Sequence, residues 1–147
     1  MSERRHILLL TAGYVGGRLE RLAHEVAAGV HEFADEIELR ELPALAAGVD
    51  ELRWAHAVLL GTPEKFGYMA GALKDFFDRT FYPTEGEVAG LPYALFVSAG
   101  TDGSGAVASV ERIVTGYRWQ RIADPVVVVG EPDATAVRSS SSARSPL

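Results

Sequence analysis

The chain of 147 residues contains no cysteine, and this absence excludes several kinds of chemistry. Without a thiol there is no disulfide, no cysteine-ligated zinc or iron–sulfur cluster, and no thiol nucleophile. Basic residues are also scarce, because 14 lysines and arginines stand against 20 aspartates and glutamates, giving a formal net charge of -6. This charge argues against nucleic acid or an anionic membrane as the main partner.

Long hydrophobic runs are missing as well. The apolar run behind the charged N-terminus covers only Ile7–Leu10, which is too short for the core of a signal peptide or for a membrane span. We therefore expect a soluble, cytoplasmic protein. The remaining composition, 48% hydrophobic and 23% charged residues, is ordinary for one globular domain.

Five segments have the composition of β-strands. Four are short continuous apolar runs, the pattern of strands buried on both faces of a parallel sheet. The exception, Glu36–Arg40, alternates charged and apolar residues and is expected at a sheet edge with one face in water. In chain order the predicted strands are His6–Thr11, Glu36–Arg40, Ala57–Gly61, Tyr93–Ser98 and Val126–Gly130.

Amphipathic segments fill the gaps between these strands. Apolar residues recur at a helical period over 19–30, 69–81 and 107–117, and Asp50–Trp54 is at most a short helix. Such strict alternation predicts an α/β doubly wound sandwich with right-handed crossovers. With five strands and an edge-like second strand, we expect a parallel sheet in the order 2-1-3-4-5.

The C-terminal segment departs from this pattern. Behind Gly130 the sequence lacks the apolar stripe that a last helix needs, and Ser139–Leu147 is rich in serine. We predict that the last helix is short or missing and that residues 133–147 form a frayed or disordered tail behind a domain of residues 1–132.

Three glycine-bearing loops, Thr11–Gly17, Gly61–Tyr68 and Ser98–Gly105, each follow a predicted strand and precede a predicted helix. In this strand order they emerge together at the carboxyl edge of the sheet, where open α/β sheets bind ligands. The first loop suits a phosphate, with backbone N–H groups, a hydroxyl from Thr11 and a charge from Arg18. The alternative is a tight turn that simply needs glycine.

The second and third loops suit a planar ring. In the second, Phe66 and Tyr68 would flank the ring, whereas Glu64 and Lys65 are expected to be solvated; the alternative is that both aromatic residues cap the core. The third would offer backbone donors to the polar edge of the ring. Its alternative is a flexible loop that ends in a helix cap, formed by Asp102 or Ser104.

The motif GTP-x-x-FG-x-MAG-x-LK-x-F-x-DRT, from Gly61 to Thr80, and the segment FVSAGTDGSG from Phe96 resemble the flavodoxin superfamily. They are closest to its WrbA-like and NADPH-dependent FMN reductase branches, and the resemblance covers Ile7–Gly130. It implies a flavodoxin-like fold that binds FMN. The cofactor-binding residues it implies are Thr11, Gly13, Tyr14, Gly16, Gly17 and Arg18 at the phosphate, and Thr62, Pro63, Phe66, Gly67, Tyr68, Met69, Ser98, Gly100, Thr101, Asp102 and Gly103 around the isoalloxazine.

The resemblance also implies an activity, NAD(P)H-dependent reduction of quinones or flavin, with no catalytic side chain and no metal. Two alternatives stay open: a flavodoxin-type electron carrier that docks a redox partner protein, and a cofactor-free interaction module. The first loop departs from the family pattern, because Gly17, Arg18 or Leu19 stands where relatives carry threonine at the helix start. We expect the charge of Arg18 to compensate.

Other functions with related sequence patterns fit less well. Thr11-x-Gly13-x-x-Gly16 is a near miss to the dinucleotide fingerprint, with Glu36 or Glu38 about twenty residues on. A response-regulator receiver needs acidic residues and a lysine at strand ends that carry none, and a serine hydrolase needs a G-x-S-x-G turn that is missing. The four histidines lack metal-ligand spacing, so His24 and His31 are expected at the surface.

Overall fold

The computed structural model describes residues 3–14 and 16–131. The helices are α1 (Arg18–His31), α2 (Val49–Trp54), α3 (Gly71–Thr84) and α4 (Ser104–Tyr117), with a short 3-10 turn at Ala44–Ala46. The strands are β1 (Arg5–Thr11), β2 (Ile37–Pro43), β3 (Ala57–Lys65), β4 (Tyr68–Met69), β5 (Pro92–Ala99), β6 (Gln120–Arg121) and β7 (Val126–Val129).

The main sheet is parallel and confirms the predicted order. Strand β1 lies between β2 and β3, and β5 follows β3. The fifth strand position is shared by two short pieces, since β6 and β7 both pair with β5, at Pro92–Tyr93 and at Phe96–Ala99. Strand β2 pairs with β1 alone among the described strands, so it is the predicted edge.

The core lies on both faces of the sheet. Alternate residues of β1 and β3, such as Leu9 and Leu59, pack against the apolar stripe of α1. Their neighbours Leu8 and Leu60 pack against the opposite layer, formed by α2, α3 and α4. The continuous apolar runs follow from this arrangement, because both faces of each central strand are buried.

The second loop is not an irregular loop, as the sequence suggested, but a hairpin. Strand β3 continues to Lys65, and Glu64 and Lys65 pair with Met69 and Tyr68 of β4. The turn contains Phe66 and Gly67, with φ of 52° and 72°. Positive φ at both central residues is the mark of a type I′ turn, whose twist matches antiparallel strands.

The predicted tail, residues 133–147, and the predicted absence of a last helix lie outside the described residues. His24 and His31 are exposed, as expected. No helix in the described part of the chain combines the length and the apolar character that crossing a membrane requires.

Gly61 allows two central strands to pack closely. It pairs with Phe96 of β5, and a Cβ atom on Gly61 would overlap the Phe96 ring. Phe96 is 1% exposed, so its ring has little room to move aside. Glycine is therefore required at position 61, the first residue of the second loop, for these two strands to pack.

Replacing Gly61 by alanine should lower the free energy of unfolding by about 1–3 kcal/mol, the usual effect of overfilling a packed core. Gly116→Ala is the matched control, because a Cβ there meets no described atom within 4 Å and helical alanine gains about 0.5–1 kcal/mol over glycine. Urea unfolding measures both changes. Adding Phe96→Leu to Gly61→Ala should recover part of the loss; the same loss in both glycine variants would contradict the explanation.

Candidate functional site

The three predicted loops meet at the carboxyl edge of the sheet. Between them lies a cleft of about 210 Å³. Seven of its lining residues were predicted from the sequence: Gly13, Tyr14, Gly17, Arg18, Pro63, Ser98 and Gly100. The prediction of one composite site from three separate loops is consistent with this cleft, and Glu64, Lys65, Leu19 and Ala99 complete its lining.

The hairpin of the second loop packs directly against the first turn of α4. A Cβ atom on Gly105 would overlap the carbonyl group of Gly67. Glycine at position 105 therefore lets the tip of the hairpin approach the helix backbone. The second and third loops form one continuous wall of the cleft because of this contact.

Glu64 ties the two loops together. Its Oε2 accepts the N–H groups of Gly105 and Ala106, at 3.1 and 3.2 Å, in the first turn of α4. Thr101 donates a long hydrogen bond of 3.5 Å to the other oxygen, Oε1. The expectation that Glu64 is merely solvated is wrong: a carboxylate at a helix N-terminus satisfies amides that the helix leaves without partners.

Two of the predicted cofactor residues lie beneath the cleft. Thr62 is fully buried; its hydroxyl accepts the N–H of Ala70 at 2.9 Å and donates to the carbonyl of Pro63 at 2.8 Å. Met69 is 2% exposed, and its N–H donates to the hydroxyl of Ser109 at 3.0 Å. The backbone N–H of Met69 holds the hairpin on α4 and the hydroxyl of Thr62 holds the end of the hairpin, and both side chains are too buried to contact a ligand.

Aromatic side chains are presented to solvent around the cleft. Phe66, at the tip of the hairpin, is fully exposed although its backbone adopts the left-handed conformation that bulky residues disfavour. Tyr14 and Tyr68 are exposed too, and Nζ of Lys65 lies 4.4 Å from the centre of the Tyr14 ring. The alternative in which Phe66 and Tyr68 cap the core is wrong, as is the expectation of a solvated Lys65, which is half-buried against the first loop.

The third loop ends at the N-cap of α4, but this residue is Gly103 and not Asp102 or Ser104, the two residues expected there. Oδ1 of Asp102 accepts the N–H and the hydroxyl of Ser104, at 3.0 and 2.9 Å. These hydrogen bonds, the backbone one first, lower the pKa of Asp102. Gly103 is the N-cap of α4 with a φ of 71°. The carboxylate of Asp102 thus stabilises the helix start. Gly100 lines the cleft.

The first loop carries the N-terminus of α1. Gly17 is its N-cap, and no side chain caps this end among the described residues. The N–H of Gly16 donates to Oε1 of Glu20 at 2.8 Å. Arg18, expected to supply a positive charge to a phosphate, instead pairs with Glu131, Nε to Oε1 at 3.3 Å, and Arg21 pairs with the other oxygen of Glu131. Thr11 lines a second cavity of about 270 Å³ beside this loop, together with Glu20.

These groups fit a flavin better at its ring than at its phosphate. The glycine contact between hairpin and α4 and the exposed aromatic faces suit a planar ring. The uncapped N-terminus of α1 suits an anion in geometry, but the Glu20 carboxylate already takes the N–H of Gly16, just before the N-cap.

Comparison with known sequences identifies the family. Residues 12–133 match the NADPH-dependent FMN reductase family. The chain belongs to this family. The matched residues include all three loops apart from Thr11.

Two curated relatives have names that state quinone oxidoreductase activities. A quinone oxidoreductase, QR2 of Triphysaria versicolor, is 30% identical over 120 residues, covering 67% of this chain and 58% of the relative. An NAD(P)H dehydrogenase (quinone) of Syntrophus aciditrophicus is 28% identical over 140 residues, covering 79% and 67% respectively. The chain thus spans little more than half the length of the first relative.

Solved structures confirm the flavodoxin-like fold. A flavodoxin from the domain Archaea superposes with a TM-score of 0.79 at 17% identity, covering 94% of this chain and 92% of the flavodoxin. An apo NADH:FMN oxidoreductase superposes with a TM-score of 0.74 at 14% identity, covering 95% and 86%. At these identities the likeness concerns the fold alone.

Removing the Glu64 carboxylate should loosen the start of α4. We expect Glu64→Ala to lower the free energy of unfolding by about 1 kcal/mol, the usual cost of a lost N-terminal cap. Hydrogen exchange at the amides of Gly105 and Ala106 should become faster, because both lose their acceptor. Glu64→Gln keeps an acceptor oxygen and is the matched control. Unchanged exchange at these two amides in Glu64→Ala would contradict a tethering role.

Proposed function

We propose that this chain is an FMN-binding oxidoreductase that uses NAD(P)H to reduce quinones or flavin at the three-loop cleft. The observation that carries the proposal is the convergence of the three loops on one cleft at the carboxyl edge of the sheet. Family membership supports FMN as the cofactor, and the names of the two relatives support NAD(P)H and quinones as substrates.

The second and third loops would hold the ring. The hairpin and the first turn of α4 are locked together by the Gly67–Gly105 contact and by Glu64. A wall fixed in this way positions a planar ligand without reorganising when the ligand arrives. Phe66 and Tyr68, at the exposed end of the hairpin, would flank the ring or the nicotinamide that approaches it.

Bound FMN would supply the electron transfer chemistry, so no side chain of the cleft needs to act as acid or base. The reaction takes two electrons and a proton from NAD(P)H and a second proton from water, and yields NAD(P)⁺ and a quinol or reduced flavin. The protein would bind and orient the flavin and leave one face of its ring open to the acceptor.

A flavodoxin-type electron carrier is the second candidate, and the exposed aromatics favour it. Tyr14 lines the cleft, and Phe66 and Tyr68 are exposed on the hairpin whose residues Glu64 and Lys65 line it as well. Exposed apolar groups that lie together mark interaction sites. A redox partner protein would dock there. A carrier gives no NAD(P)H oxidation without that partner, whereas a reductase oxidises NAD(P)H with a soluble quinone alone.

Titration with FMN, followed by quenching of flavin fluorescence, should show saturable binding of one FMN per chain. Gly67→Val should weaken this binding at least tenfold, because a branched side chain disfavours the left-handed backbone at the tip of the hairpin. Gly86→Val is the matched control: its φ is 82° and a Cβ there also meets no described atom within 4 Å, but it follows α3 at the other end of the sheet. Equal losses in both variants would show general destabilisation rather than a site.

A further inference from the structure

The first loop carries its own anion. Glu20, in the first turn of α1, turns back so that its Oε1 accepts the N–H of Gly16 at 2.8 Å. Backbone N–H groups before a helix N-terminus are the groups with which proteins bind phosphate. One donor that a phosphate would use is therefore occupied by a side chain of the protein itself.

The charges around this loop do not favour a second anion. Arg18 and Arg21 both pair with Glu131. Glu41, at the end of β2, lines the same 270 Å³ cavity as Glu20. Two arginines paired with Glu131, Lys65 over the Tyr14 ring and His24 in the same cavity therefore share this region with three carboxylates. Positions 16–19 also contain no serine or threonine whose hydroxyl could bind a phosphate oxygen.

We propose that Glu20 sets the flavin specificity of the site: its carboxylate stands where the phosphate of FMN would bind, so the site draws little affinity from that phosphate. The inference rests on the proposed function and deepens it. FMN and riboflavin share the isoalloxazine ring and differ in the 5′-phosphate. A site that holds flavin mainly by its ring binds both with similar affinity and releases either readily.

Glu20 is the deciding residue rather than the two arginines. Arg18 and Arg21 are both paired with Glu131, so a carboxylate of the protein already accepts their charged groups. The Glu20 carboxylate, by contrast, gains both a hydrogen bond to a backbone N–H and a favourable interaction with the helix dipole. A phosphate would have to displace the Glu20 carboxylate and would then lie close to its negative charge.

The test compares the dissociation constants of FMN and riboflavin, both measured by flavin fluorescence, for the full chain and its variants. In the wild type we expect the two constants to agree within about fivefold, because the ring contacts are the same. Glu20→Gln should tighten FMN about tenfold and leave riboflavin unchanged, because a neutral amide no longer repels the phosphate. Glu20→Ala should act in the same direction, since it frees the N–H of Gly16.

Glu25→Gln is the matched control, because Glu25 is exposed on the same helix and the variant changes the net charge equally. It should leave both constants unchanged. A wild type that prefers FMN by a hundredfold, or a Glu20→Gln variant in which both flavins shift together, would overturn the role of Glu20 while leaving the proposed function intact. Failure of the wild type and both Glu20 variants to bind either flavin would instead overturn the proposed function and this inference with it.

Discussion

The contact between the β3–β4 hairpin and the first turn of α4 is the constraint on which the cleft depends. Gly105 in the helix allows it, because a Cβ atom there would overlap the carbonyl group of Gly67 at the tip of the hairpin. Glu64 reinforces it by accepting two amide protons of the helix, and the hydroxyls of Thr62 and Ser109 anchor the returning strand. Loops that follow two different strands thereby become one rigid surface, and a rigid surface is what a planar ligand needs.

Carboxylates occupy the helix ends that face the cleft. At α4 the acceptors are Glu64 and Asp102, and at α1 the acceptor is Glu20. At α4 the carboxylates satisfy helix amides, and at α1 Glu20 takes the N–H just before the helix, so both ends attract an external anion less strongly than open ones. The local charges agree with the net charge of -6, and they suit a flat, weakly charged ring more than a ligand held by phosphates. Membership of a flavin-binding family therefore does not by itself decide how strongly this chain binds the phosphate.

Much of the fold was predictable because its causes are local. Continuous apolar runs in β1, β3 and β5 reflect burial on both faces, and the helical period of α1 reflects one apolar stripe on the sheet. Strand order followed from strict alternation and from the polar pattern of β2. The hairpin was missed because Phe66 is a poor residue for positive φ, so the usual asparagine–glycine signal of a type I′ turn is absent. Glycine-bearing strand ends were enough to predict which loops line the cleft.

The sequence by itself determined the sheet, the position of the three loops and the family to which the chain belongs. Each of these depends on residues that are neighbours along the chain. Tertiary structure alone decided which groups those loops offer. Glu64 meets Gly105, 41 positions further on, and Arg18 meets Glu131, 113 positions further on. A charged residue in a loop gives the same sequence pattern whether it is solvated, caps a helix or faces a ligand. Its role is fixed by the partner that folding brings close to it.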